Sequence, residues 1–237
     1  MKIGILSDIH ANWQALEAVL ADASEVPSFI CLGDIVGYGG DPARCLDEVR
    51  SRGWPALIGN HDRACSDAEI LGWFNDDAAS SIRWTVEAIG GERLAWLKEL
   101  PEAGVRQGVL LVHASPRDPT FEYIVDAASA RANLHRLESQ VCFHGHSHIP
   151  GVFSCTGGRI RHEYRLASFD LIGPQLINPG SVGQPRDGIP DASYGVWDLD
   201  AATFEFRRVP YDRAQAKRAI REAGLPSRFA ERLDLGL

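Results

Sequence analysis

Ile3-Gly4-Ile5-Leu6-Ser7-Asp8-Ile9-His10 opens the chain with an apolar run that leads directly into an aspartate and a histidine. An apolar run of this length is typical of a strand buried on both faces. The two polar residues at its exit contribute nothing to a core, because unpaired charge at that depth costs several kcal/mol. Functional groups of open α/β sheets gather at the carboxyl ends of such strands. The run therefore predicts both a core strand and a functional site at its end.

Four further apolar runs end in the same way, each leading into residues that bind metals. These are Phe29-Ile30-Cys31-Leu32-Gly33 before Asp34, Ala56-Leu57-Ile58-Gly59 before Asn60 and His61, Val109-Leu110-Leu111-Val112 before His113, and Val141-Cys142-Phe143 before His144, His146 and His148. Each motif alone has an ordinary explanation, such as a chance pairing or an Asx turn. A bound cation explains all five together.

The residue types indicate which cation. Asp8 and His10 are two residues apart, which places both on one side if the backbone is extended there, and His146 and His148 repeat this spacing after Gly145, which allows a tight turn. Carboxylate and imidazole together suit Mn²⁺, Fe²⁺ or Zn²⁺. Asp34 has two oxygens and can bridge two ions about 3.5–4 Å apart. A neutral oxygen from Asn60 would leave such a site positive enough to bind a phosphate dianion.

The composition limits the alternatives. The 237 residues suffice for one large domain, and the segment from about residue 211 is expected to be a helical extension of it. The formal charge of −8 disfavours nucleic acid as the main partner. No signal peptide or membrane span is indicated, and five scattered cysteines without a CxxC pair suggest a reducing environment. We expect a cytoplasmic protein.

Secondary-structure patterns predict a layered α/β fold. Strands and helices alternate to about residue 145, which favours a mainly parallel sheet with helices on its faces, whereas the second half is rich in strands and should add a second sheet packed on the first. The predicted helices follow Asn12, run from Asp41-Pro42 to about Arg50, span 75–100 with a break at Gly90-Gly91, and begin again at Arg213. The later strands are a hairpin over 151–166 with Thr156-Gly157-Gly158 at its turn, then 175–178, 194–197 and 204–209.

The series of motifs resembles the calcineurin-like metallophosphoesterase superfamily, in particular its bacterial and archaeal phosphodiesterase-type members. The resemblance covers roughly residues 1–210. It rests on Asp8-x-His10, Gly33-Asp34-Ile35-Val36-Gly37-Tyr38-Gly39, Gly59-Asn60-His61-Asp62, His113, Gly145-His146-x-His148 and the loop from Asn178 to Arg186. It implies an α/β fold of four layers, an α/β/β/α sandwich with two mixed sheets.

The resemblance also implies two divalent transition-metal ions, Mn, Fe or Zn with Mn or Fe favoured, and a hydroxide bridging them as the nucleophile. The first ion would be held by Asp8, His10, Asp34 and His148, and the second by Asp34, Asn60, His113 and His146. His61 follows a ligand without being one in this pattern. Its expected role is catalytic, stabilising charge on the phosphoryl group or protonating the leaving oxygen, and the alternative is a structural turn histidine. Asp62 could support it or cap the next helix.

Other polar residues have weaker assignments. Tyr38, Gln184 and Arg186, together with Asn60, are candidate substrate contacts, and Arg186 could hold a phosphate that is not transferred or lie on the surface. His144 could orient a ligand or be a core histidine with its hydrogen bonds satisfied, which we favour. His135 and His162 are expected on the surface.

The predicted function is a dinuclear metal-dependent phosphohydrolase acting on a small-molecule or nucleotide phosphoester. A phosphodiesterase is the leading hypothesis, and a nucleotide pyrophosphatase or diadenosine polyphosphatase, or a protein phosphatase, are alternatives, because fold resemblance says little about substrate. A protein-binding scaffold on the same fold is the alternative outside enzymes, and the complete ligand set argues against it.

Overall fold

Two β-sheets pack face to face, and helices cover both outer faces. The structure, a computed structural model, describes residues 1–164 and 167–237. It forms four layers in the order α/β/β/α with two mixed sheets, which confirms the predicted fold class.

The elements are numbered in chain order. The strands are β1 (Lys2–Leu6), β2 (Phe29–Cys31), β3 (Ala103–Arg106), β4 (Val109–Val112), β5 (Val141–Phe143), β6 (Gly151–Thr156), β7 (Arg159–Glu163), β8 (Ser168–Asp170), β9 (Gln175–Asn178), β10 (Ala192–Asp198) and β11 (Thr203–Val209). The helices are α1 (Trp13–Asp22), α2 (Pro42–Ser51), α3 (Asn60–Ala64), α4 (Ala68–Leu71), α5 (Asp76–Lys98), α6 (Ala127–Leu134), α7 (Arg213–Glu222) and α8 (Ser227–Glu231), followed by a 3₁₀ turn, Arg232–Asp234.

Each sheet takes strands from both halves of the chain, so the prediction of one sheet per half was wrong. The first sheet has the order β2-β1-β10-β11-β8 and the second β3-β4-β5-β9-β6-β7. Among the strands of residues 1–164 and 167–237, β1–β2, β4–β5 and β5–β9 pair in parallel, and the other pairs are antiparallel. Strand β10 lies antiparallel beside β1, with Ile3 opposite Trp197. Local patterns identify a strand, but the partner is chosen by packing of the whole chain.

Three details of the strand prediction differ from the structure. The run at Ala56 makes only an isolated parallel bridge to Cys31 instead of a strand. Strands β3 and β8 were not predicted, and both are short, exposed edge strands. The predicted hairpin is present as β6 and β7, with Gly157 and Gly158 at φ 58° and 74° in its two-residue turn. Its predicted end, residue 166, lies outside the described residues.

The helix boundaries follow the predicted signals closely. Asn12 caps α1 by accepting a hydrogen bond from the backbone N–H of Ala15. Helix α2 begins at Pro42, although the Asp41 side chain makes no cap hydrogen bond and instead accepts one from Gln14. Helix α5 is broken at Gly90, where φ is 73°, as predicted.

The core lies between the sheets and beneath the helices on both outer faces. Ile5, Leu32, Leu111, Phe143 and Ile177 are at most 4% exposed and pack together across this interface. Helices α1, α2 and α5 cover the outer face of the first sheet, and α6 covers that of the second. This burial fixes the strands whose ends carry the predicted ligands.

The last 25 residues form a separate small cluster. Ala216 and Ile220 of α7 pack with Phe229 and Leu233, and Tyr38 lies against this cluster. The C-terminal helices therefore sit beside a loop that carries a candidate substrate contact. No helix in residues 1–164 or 167–237 is both long and apolar enough to span a membrane.

Candidate metal centre

The predicted ligands converge at one place where strands of both sheets end. Asp8 and His10 follow β1, Asp34 follows β2, Asn60 begins α3, His113 follows β4, and His146 and His148 follow β5. All seven side chains are at most 8% exposed. The structure therefore brings together every residue that the sequence predicted as a ligand.

The backbone at these residues is left-handed, so the prediction of an extended Asp-x-His was wrong. Positive φ angles of 48–65° occur at five of them: Asp8, His10, Asp34, His146 and His148. Left-handed backbone costs roughly 1–3 kcal/mol for a residue with a side chain and concentrates at functional sites. The reason proposed for Gly145 was also wrong: its φ is not positive, and a Cβ there would overlap the hydroxyl of Ser7.

The side chains form two clusters around a shared carboxylate. In the first, Nε2 of His148 lies 3.4 Å from Oδ1 of Asp8 and 3.1 Å from Nε2 of His10. In the second, Nε2 of His113 lies 3.2 Å from Nδ1 of His146. Oδ2 of Asp34 stands between them, 3.6 Å from Nε2 of His10 and 3.4 Å from Nε2 of His113. Oδ1 of Asn60 is 3.1 Å from the same nitrogen of His113.

Backbone carbonyls determine the tautomers of all four histidines. A carbonyl oxygen can only accept, so the ring nitrogen that faces it must carry the proton. These pairs are His10 Nδ1 with Val36 O at 3.0 Å, His148 Nδ1 with Gln184 O at 2.6 Å, His113 Nδ1 with Leu32 O at 3.1 Å, and His146 Nε2 with Phe121 O at 3.1 Å. When these rings are neutral, the other nitrogen of each ring, which faces the centre, therefore has no proton and presents a lone pair.

This arrangement fits a cation in each cluster. The facing nitrogens of His10 and His148, and those of His113 and His146, are 3.1 and 3.2 Å apart. Two lone pairs at that distance repel unless a proton or a metal ion lies close to both. In metal sites, a histidine ligand usually donates its other ring N–H to a carbonyl or carboxylate, which orients the ring. The donor set of three or more carboxylate and imidazole groups per cluster suits a divalent transition metal.

The electrostatics of the buried groups favour the protonation states that metal binding needs. Burial lowers the pKa of His146 to about 3 and that of His10 and His148 well below the usual value. Burial alone would raise the pKa of Asp34, but the neighbouring histidines, His113 first, hold it well below its usual value. Asp8 is an exception, because burial raises its pKa to about 7 and a carboxyl must lose its proton to bind a metal ion.

His113 differs from the other histidines. Burial alone would lower its pKa, but the adjacent Asp34 carboxylate outweighs burial and raises the pKa to about 9. In the metal-free protein this imidazole therefore binds a proton at the position where it would otherwise face a cation.

His61 lies at the junction of the two clusters. Its backbone N–H donates to Oδ1 of Asp34 at 2.8 Å, and its ring is 4.8 Å from that of His10 and 4.4 Å from that of Tyr38. One ring nitrogen lies within 4.8 Å of ligand atoms of both Asp34 and His10. Burial lowers its pKa to about 4, so the imidazole is neutral near pH 7.

Asp62 makes no hydrogen bond to His61 among the described residues, and it caps the start of its own helix, α3, in a capping box with Gly59. Its Oδ1 accepts from the backbone N–H groups of Ile35 and Val36, and its Oδ2 accepts from that of Gly59. The carboxylate therefore ties the Asp34 loop to the start of α3, which carries Asn60 and His61.

The three remaining candidate substrate contacts lie together beside the first cluster. The Tyr38 ring is 4.7 Å from that of His10. The Arg186 guanidinium is 5.8 Å from the Tyr38 ring centroid and donates to Oε1 of Gln184 at 2.9 Å. The structure therefore places Arg186 beside the centre, as a half-buried residue.

The other histidines have no place in the centre. His135 and His162 are exposed, as predicted. His144 is 1% exposed, but neither ring nitrogen has a hydrogen-bond partner among the described residues. Its placement in the core is confirmed, and the described residues give its ring no partner for either hydrogen-bonding role that we considered.

Aromatic residues that the sequence analysis missed form the wall of a cleft beside the second cluster. The cleft has a volume of about 230 Å³ and is lined by Trp73, Phe74, Phe121 and Tyr123 together with Asn60, His61 and His146. Trp73 and Tyr123 are 63% and 47% exposed. Their only sequence signal is the presence of large aromatic residues in polar loop segments.

The match to known proteins agrees with this geometry. The family model described as the calcineurin-like phosphoesterase superfamily domain matches residues 1–202. The chain belongs to the calcineurin-like phosphoesterase superfamily. Members of this superfamily are phosphoester hydrolases that bind divalent metals, and both described clusters of this chain could hold one.

Two relatives share the full length of this superfamily member. The uncharacterized protein MJ0912 of Methanocaldococcus jannaschii is 40% identical over 99% of this chain and 98% of its own. The crystal structure of a metallophosphoesterase from Sphaerobacter thermophilus is 38% identical, with a TM-score of 0.89 over 100% of this chain and 99% of that chain. The hypothetical protein PH1004 of Pyrococcus horikoshii, at 19% identity and a TM-score of 0.82 over 100% of this chain and 98% of that chain, shares the fold.

Proposed function

We propose that the protein is a dinuclear metal-dependent phosphodiesterase. The observation that carries this proposal is two pairs of facing imidazole nitrogens, His10 with His148 and His113 with His146, on either side of the Asp34 carboxylate. Two cations that share Asp34 would satisfy both pairs at once. A single ion in the second cluster would leave the lone pairs of His10 and His148 facing each other, and a single ion in the first would leave a proton of His113 in place of the second cation.

The ligand assignment follows the two clusters. Asp8, His10, Asp34 and His148 would hold one ion, and Asp34, Asn60, His113 and His146 the other, with Mn or Fe favoured for this mixture of oxygen and nitrogen donors. When bound, such a pair of ions supplies an activated water as nucleophile and positive charge for the phosphoryl oxygens. Asp34, which is ionised in the folded protein, offsets the repulsion between them.

His61 would assist from the side of the cleft. Its neutral imidazole can donate a hydrogen bond to a phosphoryl or leaving oxygen, and its ring is fixed in place by contacts with Tyr38 and Phe74. Its closeness to Asp34 and His10 also makes it a possible metal ligand by distance alone. We propose the catalytic role, since the described clusters already supply three or four donors for each ion without it.

A small phosphoester is the proposed substrate. The cleft of about 230 Å³ reaches both Asn60 and His61 and is a narrow aromatic-walled recess of the type that binds small ligands. The resemblance to phosphodiesterase-type members favours a diester as the substrate. A phosphodiester carries one negative charge fewer than a phosphomonoester.

The test compares bis-p-nitrophenyl phosphate with p-nitrophenyl phosphate at saturating Mn²⁺, alongside metal analysis of the purified protein. We expect up to two ions per chain, activity that chelation abolishes reversibly, and faster hydrolysis of the diester. Fully active protein with never more than one ion would contradict the dinuclear mechanism. Hydrolysis of neither compound would support a binding scaffold, and faster hydrolysis of the monoester would replace phosphodiesterase with phosphomonoesterase.

A further inference from the structure

Two guanidinium groups meet at one amide oxygen beside the first cluster. Nη2 of Arg186 donates to Oε1 of Gln184 at 2.9 Å, and Nη1 of Arg232 donates to the same oxygen at 3.3 Å. Arg232 lies in the 3₁₀ turn at the C-terminal end, beyond residues 1–202 that the family model covers. The sequence analysis gave no role to this arginine.

The cluster has more donors than acceptors. Each guanidinium carries five N–H groups. Within residues 1–164 and 167–237 neither arginine has a carboxylate within ion-pair distance, whereas Arg207, Arg208 and Arg213 each have at least one. Nε of Arg186 and Nε2 of Gln184 are buried without a partner among these residues, and Gln184 is only 2% exposed. An anion would supply acceptors for the two buried donors and offset the two positive charges.

The two arginines repel each other as the structure stands. Burial and the neighbouring charge of Arg186 lower the pKa of Arg232. Like charges are held this close only if packing elsewhere positions them. An anion placed between them would convert the repulsion into two charge-assisted hydrogen bonds.

Packing of the C-terminal segment holds Arg232 in position. Phe229 packs edge-on against Tyr38 with centroids 5.0 Å apart, and Leu233 is 4% exposed in the same cluster. Gln184 is also fixed, because its backbone carbonyl accepts the Nδ1 proton of His148. The anion site is therefore attached directly to a proposed metal ligand.

We propose that Arg186 and Arg232 form a subsite for a second phosphate group of the substrate, next to the phosphate that is cleaved. This inference rests on the proposed function for its catalytic meaning. It narrows the substrate class to phosphoesters that carry another phosphate, and it gives the C-terminal segment the role of completing the site.

Binding of inorganic pyrophosphate and of inorganic phosphate to the metal-free protein, measured by calorimetry, tests the subsite without requiring catalysis. Arg232→Gln should weaken pyrophosphate binding roughly ten- to a hundred-fold, the loss expected for a charge-assisted contact. Arg232→Lys should lose less, because it keeps the charge. The exposed Arg221 of α7 provides the matched control, and Arg221→Gln should bind both anions like the wild type.

Kinetics of the metal-loaded protein provide the second readout. Arg232→Gln should raise the inhibition constant of pyrophosphate by the same factor as in direct binding, whereas Arg221→Gln should leave both this constant and the hydrolysis of p-nitrophenyl phosphate unchanged. Unchanged pyrophosphate binding in Arg232→Gln that melts like the wild type would overturn the subsite and leave the phosphoesterase function intact. If the wild-type protein has no hydrolytic activity, the proposed function is refuted. The comparison of pyrophosphate binding between the wild type and Arg232→Gln would still test the subsite in that case.

Discussion

The phenol ring of Tyr123 stacks on the imidazole of His146, with centroids 3.9 Å apart and planes inclined by 27°. Two residues earlier, the carbonyl of Phe121 accepts the Nε2 proton of the same imidazole at 3.1 Å. One short segment thus fixes both the tautomer and the plane of His146. Because Tyr123 is 47% exposed, it can be changed without opening the core.

Tyr123→Ala should weaken metal binding at the cluster of Asp34, His113 and His146. Removing the groups that orient a metal ligand typically costs 10–100-fold in affinity, and we expect about ten-fold, since the hydrogen bond to Phe121 remains. Chelator competition measures the loss. Tyr123→Phe keeps the stacked ring and should bind metal like the wild type. If Tyr123→Phe binds metal more weakly than the wild type, then the Tyr123 hydroxyl, and not its ring, supports metal binding at this cluster.

Asp34→Asn should reduce both metal content and turnover. The amide keeps an oxygen that can accept from the His61 N–H, so the loop should remain folded, but a neutral group offsets the repulsion of two cations poorly. We expect at most one ion per chain by metal analysis and a fall in kcat of at least about a hundred-fold. Asp76→Asn changes an exposed carboxylate and is the control. Two tightly bound ions in Asp34→Asn would exclude the bridging role.

His61→Ala should separate catalysis from metal binding. The variant should retain both ions and lose about 10²–10⁴-fold in kcat, the range for acid–base or charge-stabilising groups. Metal analysis measures the retained ions, and steady-state kinetics on the same preparation measures the loss in kcat. Loss of an ion would show that the imidazole, which lies near both Asp34 and His10, is a ligand.

Metal uptake should release a proton. The pKa of His113 is raised to about 9 in the metal-free protein, so this imidazole is protonated near pH 7.5, and a metal ion must displace that proton. Affinity at this cluster should therefore rise about ten-fold per pH unit up to about pH 9, and the burst of acid should be measurable in weakly buffered solution. Asn60→Ala, which keeps His113, should show the same pH slope at lower affinity. Uptake with no proton release at pH 7.5 would contradict the raised pKa.

The ligand positions could be predicted because each lies where an apolar run stops, and a core strand has no other use for such a residue. The groups that orient the ligands could not. The carbonyls of Val36, Gln184, Leu32 and Phe121 are backbone atoms, so their positions depend on loop conformations that no residue type encodes. Left-handed backbone at Asp8 and His148 was missed because few residues other than glycine adopt it, although aspartate and histidine do so more often than most.

Strand pairing and the arginine pair illustrate a second limit. Strands β1 and β10 have similar apolar patterns, and nothing local in either indicates that Ile3 faces Trp197 across an antiparallel ladder. Arg232 is 46 residues from Arg186 in the sequence, and only packing of Phe229 on Tyr38 brings them to the same glutamine. Such relationships become visible only in the folded chain.

His144 offers a final test, of stability and not of catalysis. Its ring is buried with two nitrogens that have no partner among the described residues, and burial lowers its pKa to about 4. An unfolded histidine titrates near 6.5. As the pH falls below 6.5, the unfolded state therefore binds a proton that the folded state cannot, and the wild type loses stability from this group until about pH 4.

His144→Leu should remove this loss. At pH 7 the variant should be at least as stable as the wild type, because an apolar side chain leaves no unsatisfied polar atom. Between pH 6.5 and pH 5 the unfolding free energy of His144→Leu should increase relative to that of the wild type by about 2 kcal/mol. Urea denaturation of the metal-free proteins measures this difference without a contribution from metal binding. His135→Leu, at an exposed position, controls for loss of a histidine. A difference between wild type and His144→Leu that stays constant across this range, or a variant strongly destabilised at pH 7, would mean that the imidazole is hydrogen-bonded in solution.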